Sequence, residues 1–239
     1  MPIAKLRCDA IISYEIINSD KKDKILLLHG WGANKELMQR AFKDHLNDFC
    51  QIYVDLPGFG GSSIDVALDS TKYALIILEF LQAKNLNPNI IIGHSFGGKI
   101  ASLLKCDMLV LLASAGIKNK KSLKTRLKLR FFKILKRLHI NKLFKNYFLS
   151  KDAIGLNEFM YDTFKNVIKE NFEYIFKNIK TPTLIFWGDR DEATPLKNGL
   201  KINKLIKNSK FYPLKGDHFA FLHHSDFIAN KIKENYKND

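Results

Sequence analysis

The chain has little cysteine and no CxxC pair: Cys8, Cys50 and Cys106 are widely spaced and odd in number. That pattern argues against a disulfide-stapled scaffold and against a cysteine-based structural metal site, and it fits a reducing compartment. No apolar run approaches the ~20 residues a membrane-spanning helix needs. The first residues, MPIAKLRCDAIISYEII, are interrupted by Lys5, Arg7, Asp9 and Glu15 and so lack the unbroken apolar stretch of a secretion signal. A cytoplasmic location is the expectation. There is no internal repeat, low-complexity tract or Gly/Ser linker, so nothing marks a boundary between independent domains.

Acidic residues are missing from one long segment. Between Asp107 and Asp152 there is none, while thirteen Lys and Arg residues fall there and account for all but +2 of the net charge of +15. A nucleic-acid binder of this charge would be expected to show a recognised motif alongside it, and none is present. The excess belongs to one segment rather than to the surface at large.

What the chain does have is alternation. Short β-rich apolar runs, AIISYEII, KILLLHG, QIYVDLPG, NIIIGHS, DMLVLLAS, TPTLIFWG and SKFYPL, predict strands. Between them, helical spacing predicts helices over about 35–47, 71–84, 95–104, 196–206 and 226–236. This is the signature of an α/β fold, a mostly parallel sheet flanked by helices. The alternation stops at Ala115. Residues 116–178 carry no strand pattern and read as a helical cap inserted into a single domain spanning 1–239.

In open parallel sheets, ligands sit beyond the carboxyl ends of the strands, so the loops there carry the chemistry. After NIII comes Gly93-His94-Ser95-Phe96-Gly97-Gly98. Small residues two before and two after a serine suit a sharp strand-to-helix turn that displays the hydroxyl, because larger side chains would strike neighbouring backbone. A serine nucleophile needs a base, and the base an orienting acid. WGDRDEATP offers Asp189 and Asp191, and LKGDHFAF offers His218. The order Ser95, Asp191, His218 is the one expected when such a triad is built on a parallel α/β sheet. Backbone N–H groups of Phe96 and of Trp31, in LLLHGWG, are the candidates for an oxyanion hole, with His29 as a loop-shaping residue. His94 either faces the substrate or fills space.

HGWG, DLPGFGGS, GHSFGG, GDRDEATP and GDHFAFLHHSDFI together resemble the α/β-hydrolase superfamily, in its order and at similar spacing, over nearly all the chain outside the insertion. The resemblance implies a catalytic triad of Ser95, His218 and Asp191, the aspartate three residues after a glycine and four before a proline. It also implies that residues 116–178 form the lid that shapes the acyl pocket. A serine at this place argues against the dehalogenase and epoxide-hydrolase branches. HGWG with VDLPGFGGS most resembles the carboxylesterases that cleave the methyl ester of pimeloyl-acyl-carrier protein in biotin synthesis. That implies a small-molecule or acyl-carrier-bound ester as substrate and an acidic carrier protein as partner, with no metal or organic cofactor.

Alternatives from other classes stay open. Arg126, Arg130, Lys133 and Arg137 fall on one helical stripe beside an apolar stripe of Leu127, Phe131, Ile134, Leu135 and Leu138. Such a stripe suits an acidic carrier protein, an anionic membrane surface presenting lipid esters, or plain solvent. A carbon–carbon bond hydrolase and a noncatalytic small-molecule binding protein on the same fold complete the set. Trp31, Phe96, Phe159, Phe164 and Phe219 are candidates for an apolar acyl site.

Overall fold

In the computed structural model, residues 2–118 and 157–236 are described. The thirteen-cation segment falls almost entirely between them, so Arg126, Arg130, Lys133 and Arg137 and their neighbouring apolar stripe lie outside the described residues.

Eight strands form one sheet: β1 (Ile3–Lys5), β2 (Ile11–Ile17), β3 (Lys24–Leu28), β4 (Cys50–Val54), β5 (Ile90–His94), β6 (Met108–Leu112), β7 (Thr183–Gly188) and β8 (Ser209–Leu214). Their spatial order is β1-β2-β4-β3-β5-β6-β7-β8. β1 and β2 run antiparallel, and every pairing from β3 onward is parallel. The parallel strands β3 to β7 are buried along nearly their whole length, which is why they read as continuous apolar runs rather than as alternating ones.

The period of two survives inside those runs. Leu26, Leu28, Ile52, Val54, Ile91, Leu109, Leu111, Ile185 and Trp187 point into one core, while Ile25, Leu27, Tyr53, Ile90, Ile92, Val110, Leu184 and Phe186 point into another. The first core is covered by α2 (Ser70–Ala83), α3 (Phe96–Ala101) and α6 (Leu196–Leu205), which supply Ile77, Phe80, Ile100 and Ile202. α1 (Lys35–Phe42) and α7 (Ser225–Asn235) cover the second with Met38, Phe42, Ile228 and Ile232. Between β6 and β7 the chain contributes α4 (Glu158–Val167) and α5 (Glu173–Asn178), both helical as the absence of strand pattern predicts.

Three local readings differ. β1 is absent from the expectation because three residues are too short for periodicity to register. α1 stops at Phe42 rather than at 47; its last turns continue as His45 N–H to Phe42 O, and Asn47 Nδ2 donates to Asp44 O, the local side-chain bonding that makes Asn and Asp poor helix interiors. α3 ends at Ala101, where Ser102 Oγ donates back to Gly98 O at 2.7 Å and the following bonds tighten to three-residue spacing.

Candidate active site

The corner after β5 has the strain its glycines anticipate. Ser95 sits at φ 50°, ψ −111°, between β5 and α3. A Cβ at Gly93 would come within 2.5 Å of Gly97 O, and one at Gly97 within 2.5 Å of His29 O. Backbone bonds clamp the serine in this conformation: its N–H donates to Leu112 O at 2.9 Å, and its O accepts from Ala115 N–H at 3.0 Å. The strain persists because neighbouring strand β6 over-determines it.

Asp191 and His218 meet. His218 Nδ1 lies 2.8 Å from Asp191 Oδ2, with the carboxylate fully buried and the imidazole 16% exposed. Asp191 is held from the other side by Thr194, whose N–H donates to Oδ1 and whose hydroxyl donates to Oδ2, each at 2.8 Å. Trp187 Nε1 donates to Thr194 O at 2.6 Å and ties this turn to β7. Burial pushes the Asp191 carboxyl up, but its bonds to His218 and Thr194 outweigh that and hold it below the ordinary aspartate value.

Asp189 stands elsewhere. Its Oδ1 accepts from Gly216 N–H at 3.0 Å, fastening the turn before His218, and Lys215 and Arg190 approach it from solvent. Of the two candidate acids, Asp191 is the one brought to the imidazole.

The histidines of HGWG and GHSFGG are structural. His29 is buried, with Nδ1 against Gly30 O at 2.8 Å and Nε2 accepting from Leu56 N–H at 2.9 Å, so it stitches the HGWG loop to the DLPG loop. Burial lowers its pKa to about 4. His94 neither faces substrate nor merely fills space. Its Nε2 donates to His218 O at 3.2 Å, its ring packs 4.6 Å from Phe221, and burial lowers its pKa to about 3. A neutral ring donating from Nε2 leaves Nδ1 bare, and Nδ1 is buried with no hydrogen-bond partner. Gly30 leaves room for it, since a Cβ there would lie 2.9 Å from that nitrogen.

A cavity of about 590 Å³ opens in front of these groups, within the range of small-ligand sites. Ser95, His218, Trp31 and Phe96 line it, as do Phe164 and Phe219, whereas Phe159 does not and is exposed. Phe164, from α4, lies 5.3 Å from the Trp31 ring, and Trp31 in turn contacts Phe59 and Phe96. Phe96 begins α3, where the first backbone N–H groups have no partner within the helix.

Three further polar groups belong to this region and were not anticipated. Lys35 and Asp55 form a buried ion pair behind the HGWG loop at 2.7 Å; Lys99 pairs with Glu170 in the cavity wall; and Asn198 lines the same cavity. Lys99 carries a readable signal, four residues after Ser95 and so on the same face of the elbow helix. Thr194 also had one, since an Asp followed three residues later by a backbone donor is a common local capping arrangement. Among the described residues, no cluster of three or more His, Cys, Asp and Glu side chains is placed to hold a metal ion, and no helix is long and apolar enough to cross a membrane.

Similarity to known proteins supports the fold and the family. A lipase of Psychrobacter immobilis, Lipase 1, is 29% identical over 79% of this chain and 68% of its own length. The pimeloyl-[acyl-carrier protein] methyl ester esterase of Wigglesworthia glossinidia brevipalpis is 26% identical over 87% of this chain and 92% of its own. Among solved structures, an esterase from Exiguobacterium antarcticum superimposes with a TM-score of 0.76 at 20% identity, covering 97% of each chain. The model of the alpha/beta hydrolase family matches residues 25–231, and the chain belongs to that family.

Proposed function

We propose that the protein is a serine hydrolase of carboxylic esters. The observation that carries this reading is the Asp191–His218 hydrogen bond at a cavity that the strained Ser95 also lines. In this mechanism His218 Nε2 takes the Ser95 hydroxyl proton as Oγ attacks the ester carbonyl. Asp191 holds the imidazole by Nδ1–H and stabilises its charge. The N–H groups of Phe96 and Trp31 receive the oxyanion of the tetrahedral intermediate. Collapse expels the alcohol, which takes the proton from His218 and leaves an acyl group on Ser95. Water, deprotonated by the same imidazole, then releases the acid and restores the serine.

The connection containing α4 serves as a lid in this reading, its Phe164 closing over Trp31. For substrate, the relatives named a lipase and a pimeloyl-[acyl-carrier protein] methyl ester esterase support an acyl ester, and the latter spans nearly the whole chain. The narrower form of the proposal is a methyl ester carried on an acidic acyl-carrier protein, which the cation-rich segment between Asp107 and Asp152 would favour electrostatically.

The test is hydrolysis of p-nitrophenyl esters by the wild type and by Ser95→Ala, with a fluorophosphonate probe as label. Labelling at Ser95 and loss of turnover in the folded variant are expected, and substantial residual turnover would sink the assignment. The narrower form predicts a salt-sensitive preference for the carrier-bound methyl ester over the free one. Equal rates at low and high salt would remove the carrier from the proposal and leave the hydrolase.

A further inference from the structure

The cavity lining includes the polar side chains of Lys99, Glu170 and Asn198. Lys99 is 3% exposed and lies one helical turn, ~5.4 Å, beyond Ser95 on α3. Its ammonium has three donors. Among the described residues it meets two hydrogen-bond acceptors, Val167 O at 2.8 Å and the Glu170 carboxylate, while the Phe172 ring lies 4.7 Å away. Asn198, near the start of α6, is 4% exposed and lines the same cavity. Its side-chain amide has no hydrogen-bond partner among the described residues.

The amide is open to the cavity, where water answers it, and a ligand that displaces that water must supply the same bonds. Charge decides which kind of ligand. Glu170 already neutralises Lys99, and Glu170 is itself held by Ser70, whose N–H and hydroxyl both donate to its carboxylate. An added carboxylate beside Lys99 would meet charges already balanced, and Lys118, the other cation of the lining, is exposed and screened by water, so the anion would stay unpaired where it is buried, which is costly. An uncharged oxygen incurs no such cost and satisfies both the amide and the remaining ammonium donor.

We propose that Lys99 and Asn198 form a subsite for an uncharged oxygen, carbonyl or hydroxyl, placed a few bonds beyond the scissile carbonyl in the acyl part of the substrate. This rests on Ser95 as the nucleophile, and it narrows the substrate from acyl esters in general to oxygen-bearing acyl esters. Glu170 and Ser70 position Lys99 and do not touch the substrate.

The experiment compares kcat/KM for p-nitrophenyl hexanoate, p-nitrophenyl 5-oxohexanoate and mono-p-nitrophenyl adipate, with wild type and with Asn198→Leu. Leucine matches the volume of asparagine closely enough for the site, and no intramolecular bond of the amide is lost, so thermal melting serves as the check on folding. The wild type is expected to prefer the oxo ester over hexanoate by at least ~10-fold, the order of one hydrogen bond to a charged or buried group. Adipate should show no such preference, and Asn198→Leu should bring the oxo-to-hexanoate ratio close to one. Equal rates on hexanoate and oxo ester in the wild type, a ratio that survives Asn198→Leu in a folded variant, or adipate as the best of the three would each overturn the subsite while leaving the hydrolase standing. Failure of the hydrolase reading looks different: no ester is cleaved faster by wild type than by Ser95→Ala.

Discussion

Among the described residues two lysines are buried in ion pairs, Lys35 and Lys99, and their surroundings differ in a way that separates scaffold from site. Lys35 opens α1 and meets Asp55 at 2.7 Å, Ser13 Oγ at 3.0 Å and Glu36 at 3.1 Å. Asp55 in turn accepts the Lys35 N–H at 2.7 Å and the Gly61 N–H at 2.9 Å, so the carboxylate also caps the N-terminus of α1 from another loop. Burial would lower the Lys35 pKa, but the bonds to Asp55 and Glu36 outweigh it and raise it; Asp55 is likewise held below its ordinary value despite burial. At Lys99 the balance reverses. Burial is the larger influence and lowers its pKa, although Glu170 opposes it. A lysine whose donors are all answered fixes a loop, and a lysine whose burial is incompletely compensated lines a cavity.

The largest expected loss of stability breaks the first pair. Lys35→Met leaves the fully buried Asp55 carboxylate without its ammonium and should cost about 3 to 5 kcal/mol in urea unfolding. The double variant Lys35→Met/Asp55→Leu should recover part of that loss, since an apolar pair removes the uncompensated charge. A loss under about 1 kcal/mol for the single variant would show that the pair does not fasten the HGWG and DLPG loops. Lys99→Met should cost less, about 1 to 3 kcal/mol, because Glu170 is partly exposed and keeps Ser70 as a donor. Equal losses from the two lysines would dissolve the distinction.

Much of the scaffold was legible in the sequence, and neither lysine pair was. The seven longer strands and the elbow at Ser95 are written locally, in apolar runs and in glycines two residues either side of one serine. Asp191 and His218 could be placed because each follows a strand in an order the chain itself displays. Lys35–Asp55 and Lys99–Glu170 join residues 20 and 71 apart, and no period or spacing links them. Asn198 was invisible for the same reason: its meaning lies in what it fails to touch. In GDRDEATP only the family resemblance ranked Asp191 above Asp189 as its runner-up; the turn closed by Thr194 aims Asp191 at the imidazole, while Asp189 holds Gly216.

Acid should weaken the scaffold through its two neutral histidines. His29 and His94 keep pKa values of about 4 and about 3 when folded, against about 6.5 when unfolded. Between those values the unfolded chain binds more protons, so stability is fully present above about pH 6.5 and declines as pH falls toward 4. The loss at pH 5 should approach about 2 kcal/mol per histidine, read from urea midpoints at pH 7.5 and pH 5. His94→Gln should flatten that slope while keeping a donor for His218 O. Asp191, with its pKa lowered, loses its contribution only as pH falls through its folded value, in a more acid window. A pH profile unchanged by His94→Gln would mean that the ring is not held neutral.

A pair of substitutions sharpens the site most, and its second member has the smallest expected effect of all. Asp191→Asn should lower kcat on the order of 10⁴-fold, because an amide cannot hold the imidazole in the tautomer that leaves Nε2 free to take the Ser95 proton. Asp189→Asn should change kcat less than about threefold. Its Oδ1 can still accept from Gly216 N–H, and the partners it loses are Lys215 and Arg190, whose side chains are 88% and 80% exposed and whose ion pairs solvent largely screens. The two substitutions are chemically identical and two residues apart, so a difference of several powers of ten isolates what the turn at Thr194 does. If Asp189→Asn were as damaging as Asp191→Asn, the Gly216 turn would have to be counted with the imidazole as part of the machinery, and the division between scaffold and site would move outward to include the loop that carries His218.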